Sequence, residues 1–393
     1  MLYRTVPKNG DKISALGYGC MRFPGGMFSV DESRAIKQIR MAIDAGLNYV
    51  DTAWPYHNGN SEVILGKALK DGYREKVKVA DKLPHWMCKS SDDMEAKLDI
   101  QLERLDISTI DYYLIHSVDG DSWQKAKANG VLEFIEKAKK DGKIINAGFS
   151  FHGAPAEFAP IVDDCEWTFC QIQYNILDEF NQAGRAGLEY AAEKDLAVFI
   201  MEPLRGGTLV ASVPQEVLAV YDKAPNKRAP VEWALKCLYN QPGVTCVLSG
   251  MNEEKHIEQN LTIASGSPVG CLSEVEVDLL KEAAETYRKL QKVPCTACQY
   301  CMPCPFKVNI PMAFSLYNAK FLLKDPMAHL FYIGQLGGMM RRKAGLASQC
   351  TGCGACIKKC PQHIDIPKEL DAVRSEYEGF FTRILLRILR IFF

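Results

Sequence analysis

Up to about residue 265, apolar positions fall into two alternating textures. Short runs that are apolar almost throughout read as strands buried on both faces: LNYVDTA, KVKVADKL, TIDYYLIHS, KIINAGFS, TFCQIQYN, LAVFIMEPL and GVTCVLSG, after an opening KISALGYGC. Between them lie stretches with helical spacing: DESRAIKQIRMAIDAG, SEVILGKALKDG, SSDDMEAKLDIQLERL, VLEFIEKAKKDG, PAEFAPIV, RAGLEYAAEKD, PVEWALKCLYNQ and EEKHIEQNLTIA. Gly46, Gly72 and Gly142 stand where helices end in a left-handed residue, and Asp31 and Ser91 stand where helices begin. Eight strand–helix units predict an α/β chain closed into a (β/α)8 TIM barrel. A doubly wound sheet would carry G-x-G-x-x-G after its first strand. The chain has no such string, and LGYGCMRFPGG has the wrong spacing.

The pattern changes after the barrel. The expected division is a barrel over 1–270, a connecting helix over 271–293, a small, mostly helical, cysteine-rich domain over 294–379, and a basic amphipathic tail over 380–393. Charge changes at the same place. Lys plus Arg is 47 and Asp plus Glu is 48 overall, yet residues 291–393 carry 14 against 6. The near-neutral total gives no argument for nucleic acid. Fifteen cysteines with no apolar signal core in MLYRTVPKNG read as a reducing, cytoplasmic setting, where clustered cysteines bind metal.

Eight of those cysteines form a duplicated pattern. Cys295-x2-Cys298-x2-Cys301-x2-Cys304-Pro305 is repeated as Cys350-x2-Cys353-x2-Cys356-x3-Cys360-Pro361, and VNIP at 308–311 matches IDIP at 364–367. Zinc is the rival, but two Cys triplets each with a Pro-flanked fourth suit it poorly. The segment resembles a bacterial two-cluster ferredoxin, in which the fourth Cys of each run ligates the other cluster. That resemblance implies two 4Fe-4S clusters, one on Cys295, Cys298, Cys301 and Cys360, the other on Cys350, Cys353, Cys356 and Cys304. The first run is one residue short of the ferredoxin spacing. The other seven cysteines are scattered through helix and strand text and read as small buried hydrophobes.

Four side chains stand at the ends of three adjacent barrel strands, the face that carries chemistry in this fold: Asp51, Tyr56, Lys82 and His116. Singly, each has a bland reading: a helix cap, a loop tyrosine, a solvated charge and a core histidine. Together, DTAWPYHNGNSEVILGKAL, the following Lys82 and the YYLIH strand are similar to the aldo-keto reductase family over about residues 3–265. With the cysteine-rich part, the chain resembles that family's iron–sulfur-containing branch.

The resemblance implies NADH or NADPH as cofactor and a small carbonyl or alcohol as substrate. Tyr56 would be the general acid, and Lys82 would lower its pKa. Asp51 would hold Lys82 charged, and His116 would orient the carbonyl. Ser150 and Gln171 would hold the nicotinamide carboxamide, although Phe151 replaces the usual Asn. Met201 stands where an aromatic often stacks. Gly250, Met251 and His256 take the places of the 2′-phosphate ligands, and Asn260 follows on the same helix. The missing cations leave NADH and NADPH open.

The clusters raise an electron-counting problem, since a hydride carries two electrons and each cluster passes one. The basic C-terminal part suits an acidic redox carrier such as a ferredoxin or flavodoxin. An alternative is an electron-transfer or redox-sensing protein whose barrel only binds, and a channel-type auxiliary subunit is a third reading. In the tail FFTRILLRILRIFF, Arg383, Arg387 and Arg390 share one helical face. It suits a packed helix, peripheral membrane contact or a docking helix, and is too short to span a bilayer.

Overall fold

The apolar runs pair with one another because each buries both faces. In the computed structural model, which describes all residues except 27–28, 296–300, 339–343, 361, 380–381 and 383–393, they are β1 (Leu16–Gly19), β2 (Tyr49–Asp51), β3 (Lys78–Leu83), β4 (Ile110–Val118), β5 (Ile144–Phe151), β6 (Phe169–Gln173), β7 (Ala197–Met201) and β8 (Val244–Ser249). All eight are parallel and follow one another around a closed barrel. The expected TIM barrel is therefore present. Inward side chains fill it, with Tyr49, Tyr112, Phe169 and Phe199 meeting edge to face or tilted. A hairpin of Tyr3–Thr5 and Lys12–Ser14 brings Val6 and Ile13 into the same core.

The helices follow the sequence signals with one shift. Helix α1 (Glu32–Asp44) begins at Asp31, whose side chain accepts the Arg34 N–H. Helix α2 spans Asn60–Ala68, and α3 spans Ser91–Leu105. The cap of α3 is Ser90 rather than Ser91, because the Ser90 hydroxyl reaches the Asp93 N–H at 3.2 Å. Helix α4 (Gly120–Ala128) was not marked by the pattern. Helices α5 (Val131–Lys140), α6 (Pro155–Asp163), α7 (Gly184–Glu193), α8 (Pro230–Tyr239) and α9 (Glu254–Ser265) lie where periodicity placed them. Gly46, Gly72 and Gly142 all have positive φ.

The chain divides into two compact units, residues 1–206 with 231–274, and 207–230 with 275–393. The second contains α10 (Glu274–Lys289) from Val275 onward, α11 (Ile310–Leu322) and α12 (Ile366–Tyr377). The VNIP and IDIP motifs start these last two helices in the same way. Asn309 caps the Met312 N–H and Asp365 caps the Lys368 N–H, each with Pro in the first turn. Two residues before each cap the chain turns left-handed, at Lys307 (φ 63°) and His363 (φ 53°). The second unit has its own apolar core, in which Phe314, Leu370, Val373 and the stacked Tyr332 and Tyr377 are buried. The tail, apart from Thr382, lies outside the described residues. No helix among the described residues is long and apolar enough to cross a membrane.

Gly148 on β5 sits where a methyl group would lie 2.6 Å from the ring and carbonyl oxygen of Phe169 on the neighbouring strand. Gly148→Ala is expected to destabilise the barrel by about 1–3 kcal/mol. Thermal unfolding checks this as a lower midpoint.

Candidate active site

Strands β2, β3 and β4 are neighbours, so Asp51, Lys82 and His116 arrive together at the C-terminal rim. Tyr56 opens the short turn 56–59 that follows β2. His57 (φ 50°), Asn58 (φ 56°) and Gly59 (φ 86°) are successively left-handed, a conformation two of them adopt at a steric cost. The turn is pinned by His57, whose ring stacks on Phe23 at 4.9 Å while its Nε2 accepts the Phe23 N–H at 3.3 Å. Burial lowers the His57 pKa, which keeps that nitrogen an acceptor.

Lys82 and Asp51 are both buried. The Lys82 Nζ donates to Asp51 Oδ1 at 2.6 Å and to the Thr52 carbonyl at 2.7 Å, and lies 5.1 Å from the Tyr56 ring centre. Burial pulls the ammonium pKa down, but the Asp51 charge and hydrogen bond outweigh it, and the net shift is upward. Tyr56 departs from the sequence expectation. Lys82 does pull its pKa down, yet enclosure raises it by more, so the phenol is held above its ordinary value. The hydroxyl therefore stays protonated, the form a proton donor requires.

His116 is buried, and its pKa is driven well below the ordinary value by burial and by Lys82, His152 and His85. The imidazole is neutral. Its Nδ1 has no hydrogen-bond partner among the described residues. The ring meets Tyr56 edge-on at 6.2 Å and Trp86 at 5.3 Å, and Trp86 is partly exposed.

Behind Lys82 lies an acid pair that the sequence did not single out. Asp81 and Glu62 are fully buried. Glu62 accepts from Gln101 (3.1 Å) and Arg104 (2.7 Å), and Asp81 Oδ1 accepts the Lys82 backbone N–H at 2.8 Å. Burial and the neighbouring Glu62 charge push the Asp81 carboxyl well above the carboxylate range. The sequence signal was an acid inside a strand run, next to Lys82.

Ser150 and Gln171 face each other directly in the β5–β6 register, both buried. The Ser150 hydroxyl oxygen accepts the Ser117 N–H at 2.7 Å, and Gln171 Nε2 donates to Asp51 Oδ2 at 3.0 Å. A hydroxyl beside an amide matches the donor and acceptor pattern of a carboxamide, so these residues fit a nicotinamide. Met201 ends β7, Gly250 follows β8, and His256 lies in the first turn of α9. Asn260 is buried and donates to the Ser249 hydroxyl at 3.0 Å. Beside them, Arg34 clasps Glu253 (2.8 Å) and Glu254 (2.6 Å), and holds the Glu254 carboxyl down to about 2.

In the second unit, Cys295, Cys301, Cys304, Cys350, Cys356 and Cys360 pack against the apolar core, and Cys353 is exposed. Burial raises the Cys356 thiol, and Cys350, Cys304 and Cys353 act on it electrostatically. The fourth cysteine of the first run thus lies near the triplet of the second. No group of three His, Cys, Asp or Glu among the described residues is arranged to hold one metal ion. A donor set made of thiols in two repeated runs suits iron–sulfur chemistry better than zinc. Cys298 lies outside the described residues.

The aldo/keto reductase family model matches residues 15–283, and a 4Fe-4S dicluster domain model matches 294–365. L-galactose dehydrogenase of Arabidopsis thaliana is 26% identical over 311 residues, covering 70% of this chain and 93% of that protein. The NADH-specific methylglyoxal reductase of Escherichia coli is 24% identical, covering 70% and 96%. The aldo-keto reductase AKR11C1 from Bacillus halodurans, in its holo form, superposes with a TM-score of 0.63 at 24% identity, covering 72% and 96%.

The lowered His116 pKa has a definite sign. The unfolded chain takes up a proton near the ordinary value of 6.5, and the folded protein does so only at lower pH. Stability is therefore lost as pH falls below that value. His116→Asn is expected to unfold with a shallower loss of stability from about pH 7 to about pH 5. Denaturant titrations giving equal pH slopes for the two proteins would contradict this.

Proposed function

We propose, from the premise that the chain belongs to the aldo/keto reductase family, that it moves a hydride between NADH and the carbonyl or alcohol carbon of a small molecule. The observation that carries this reading is the buried Lys82–Asp51 pair beneath Tyr56, with a neutral His116 at its side. When bound, the nicotinamide supplies or accepts the hydride. In the reducing direction, Tyr56 delivers a proton to the carbonyl oxygen as charge builds there. The fixed Lys82 ammonium stabilises the phenolate that remains, and Asp51 balances that ammonium. His116 donates an N–H to the same oxygen and sets its direction. Ser150 and Gln171 hold the carboxamide, and the Gln171–Asp51 bond ties cofactor placement to the proton donor.

The preference for NADH rests on Glu253 and Glu254. Carboxylates accept hydrogen bonds from ribose hydroxyls and repel a 2′-phosphate. Arg34 is already committed to them, and Met251 is buried. The E. coli relative named for NADH agrees with this.

In the second unit, Cys295, Cys298, Cys301 and Cys360 would hold one 4Fe-4S cluster, and Cys350, Cys353, Cys356 and Cys304 the other. The closeness of Cys304 to Cys356 supports the crossed assignment. The basic balance of residues 291–393 suits an acidic one-electron carrier such as a ferredoxin or flavodoxin.

Tyr56→Phe should lower carbonyl turnover roughly 10²–10⁴-fold while leaving the NADH Kd unchanged. Turnover within a few-fold of the parent would overturn the assignment of Tyr56. NADPH should bind at least about tenfold more weakly than NADH, the order expected for one unfavourable charged contact. Cys304→Ala should remove one reduced-cluster signal from the paramagnetic resonance spectrum and leave the other, with the iron content falling accordingly.

A further inference from the structure

Asp81 and Lys82 are consecutive on β3, so their side chains leave opposite faces of the strand. Lys82 meets Asp51, and Asp81 meets Glu62 of α2. Glu62, Asp81 and Lys82 are all buried. Gln101 of α3 ties them together. Its Nε2 donates to Glu62 Oε1 and to the Lys82 carbonyl oxygen, both at 3.1 Å, and its Oε1 accepts the Tyr113 hydroxyl at 2.6 Å. Arg104, on the same helix, donates to Glu62 Oε2 at 2.7 Å and packs over the Trp54 ring at 4.1 Å. A methyl on Gly59 would lie 3.3 Å from its guanidinium. Trp54 and Gly59 flank Tyr56, so the tyrosine turn and the Lys82 backbone are both fastened to the Glu62 carboxylate.

The nearby cations are already matched. Lys82 pairs with Asp51, and Arg104 pairs with Glu62. Tyr113 and Cys20, which also act on or are acted on by the Asp81 carboxyl, bring no positive charge. An ionised Asp81 would be a further buried anion with both of these cations committed elsewhere, a costly arrangement. Hydrogen bonding points the same way. Asp81 Oδ1 accepts the Lys82 N–H at 2.8 Å, but Oδ2 is buried with no donor facing it among the described residues. The side chain within hydrogen-bonding reach of the Asp81 carboxyl is another acid, Glu62. Two acceptors in contact repel, and a single proton between them satisfies both.

We propose that Asp81 and Glu62 share one proton, with the Asp81 hydroxyl donating to the Glu62 carboxylate, and that this bond makes Asp81 a positioning residue for Lys82 and Tyr56. Asp81 holds the Lys82 backbone at one end. Glu62, through Arg104, holds the Tyr56 turn at the other. The lysine and the tyrosine are thereby set relative to each other from behind the strand. The positioning role rests on the reading of Lys82 and Tyr56 given under Proposed function, whereas the shared proton does not.

The test uses the full chain with its clusters reconstituted anaerobically. Infrared difference spectra at neutral pH compare the parent with Asp81→Asn and Glu62→Gln. The parent should show the carbonyl band of a protonated carboxylic acid, and Asp81→Asn should lack it. Glu62→Gln should lack it as well, because Arg104 then needs an anion and Asp81 is the acid at hand. A parent without the band overturns the shared proton. A band that survives in Glu62→Gln does so too, since Asp81 is then protonated by burial alone. Turnover of small aldehydes and ketones with NADH tests the positioning role. Asp81→Ala should lower kcat roughly ten- to a hundredfold, the cost of displacing a reacting group by up to about 1 Å, and leave the NADH Kd unchanged. Asp81→Asn keeps an acceptor for the Lys82 N–H and a donor for Glu62, and should recover kcat to within a few-fold of the parent. An Asp81→Ala protein with the parent's kcat, or an Asp81→Asn protein that recovers nothing, overturns the positioning role and leaves the reductase reading standing. A parent that turns over no carbonyl with NADH removes the reductase reading and the positioning role together, and the infrared band still decides the shared proton.

Discussion

A lysine and an aspartate buried against each other set the terms for the rest of the barrel mouth. Taking two charges out of water costs several kcal/mol per ion, and only close pairing with further hydrogen bonds offsets it. The neighbours of Lys82 and Asp51 meet that demand. The Thr52 carbonyl accepts a hydrogen bond from a second lysine N–H, and Gln171 donates to the far aspartate oxygen. Asp81, one residue from the lysine, has its carboxyl pushed well above the carboxylate range by burial. Tyr56 then sits above a fixed positive charge on a turn made rigid by the His57–Phe23 stack.

The second unit solves a different problem by repetition. Two copies of one motif supply two helices, α11 and α12, that begin on the same cap and share one apolar core. The cysteine runs precede these helices, and Cys304 of the first copy lies near the triplet of the second. Under the crossed assignment neither copy holds a complete ligand set alone. Each cluster would then fasten one repeat to the other as well as carry electrons.

The barrel was legible because its strands are apolar on both faces and its helices are punctuated by Gly46, Gly72 and Gly142. The four candidate residues at the barrel mouth were legible because they stand at or just after the ends of three adjacent strands. What stayed hidden depends on geometry across the chain. Asp81 and Glu62 are separated by nineteen positions and look like ordinary acids until both are seen buried. The sign of the Tyr56 shift could not be read from Lys82 alone, because enclosure acts in the opposite direction and is stronger. The move of a helix cap from Ser91 to Ser90 is the smallest case. Adjacent serines offer the same hydroxyl, and the backbone decides which one reaches.

The matching left-handed residues at Lys307 and His363 speak to ancestry. The two copies have exchanged Lys for His, Asn for Asp and Val for Ile, and one has a residue fewer between its last cysteines. The backbone turn survived all of these changes. Duplication of a single segment accounts for the shared turn. The two copies differ in side chains and share the path of the main chain into each helix.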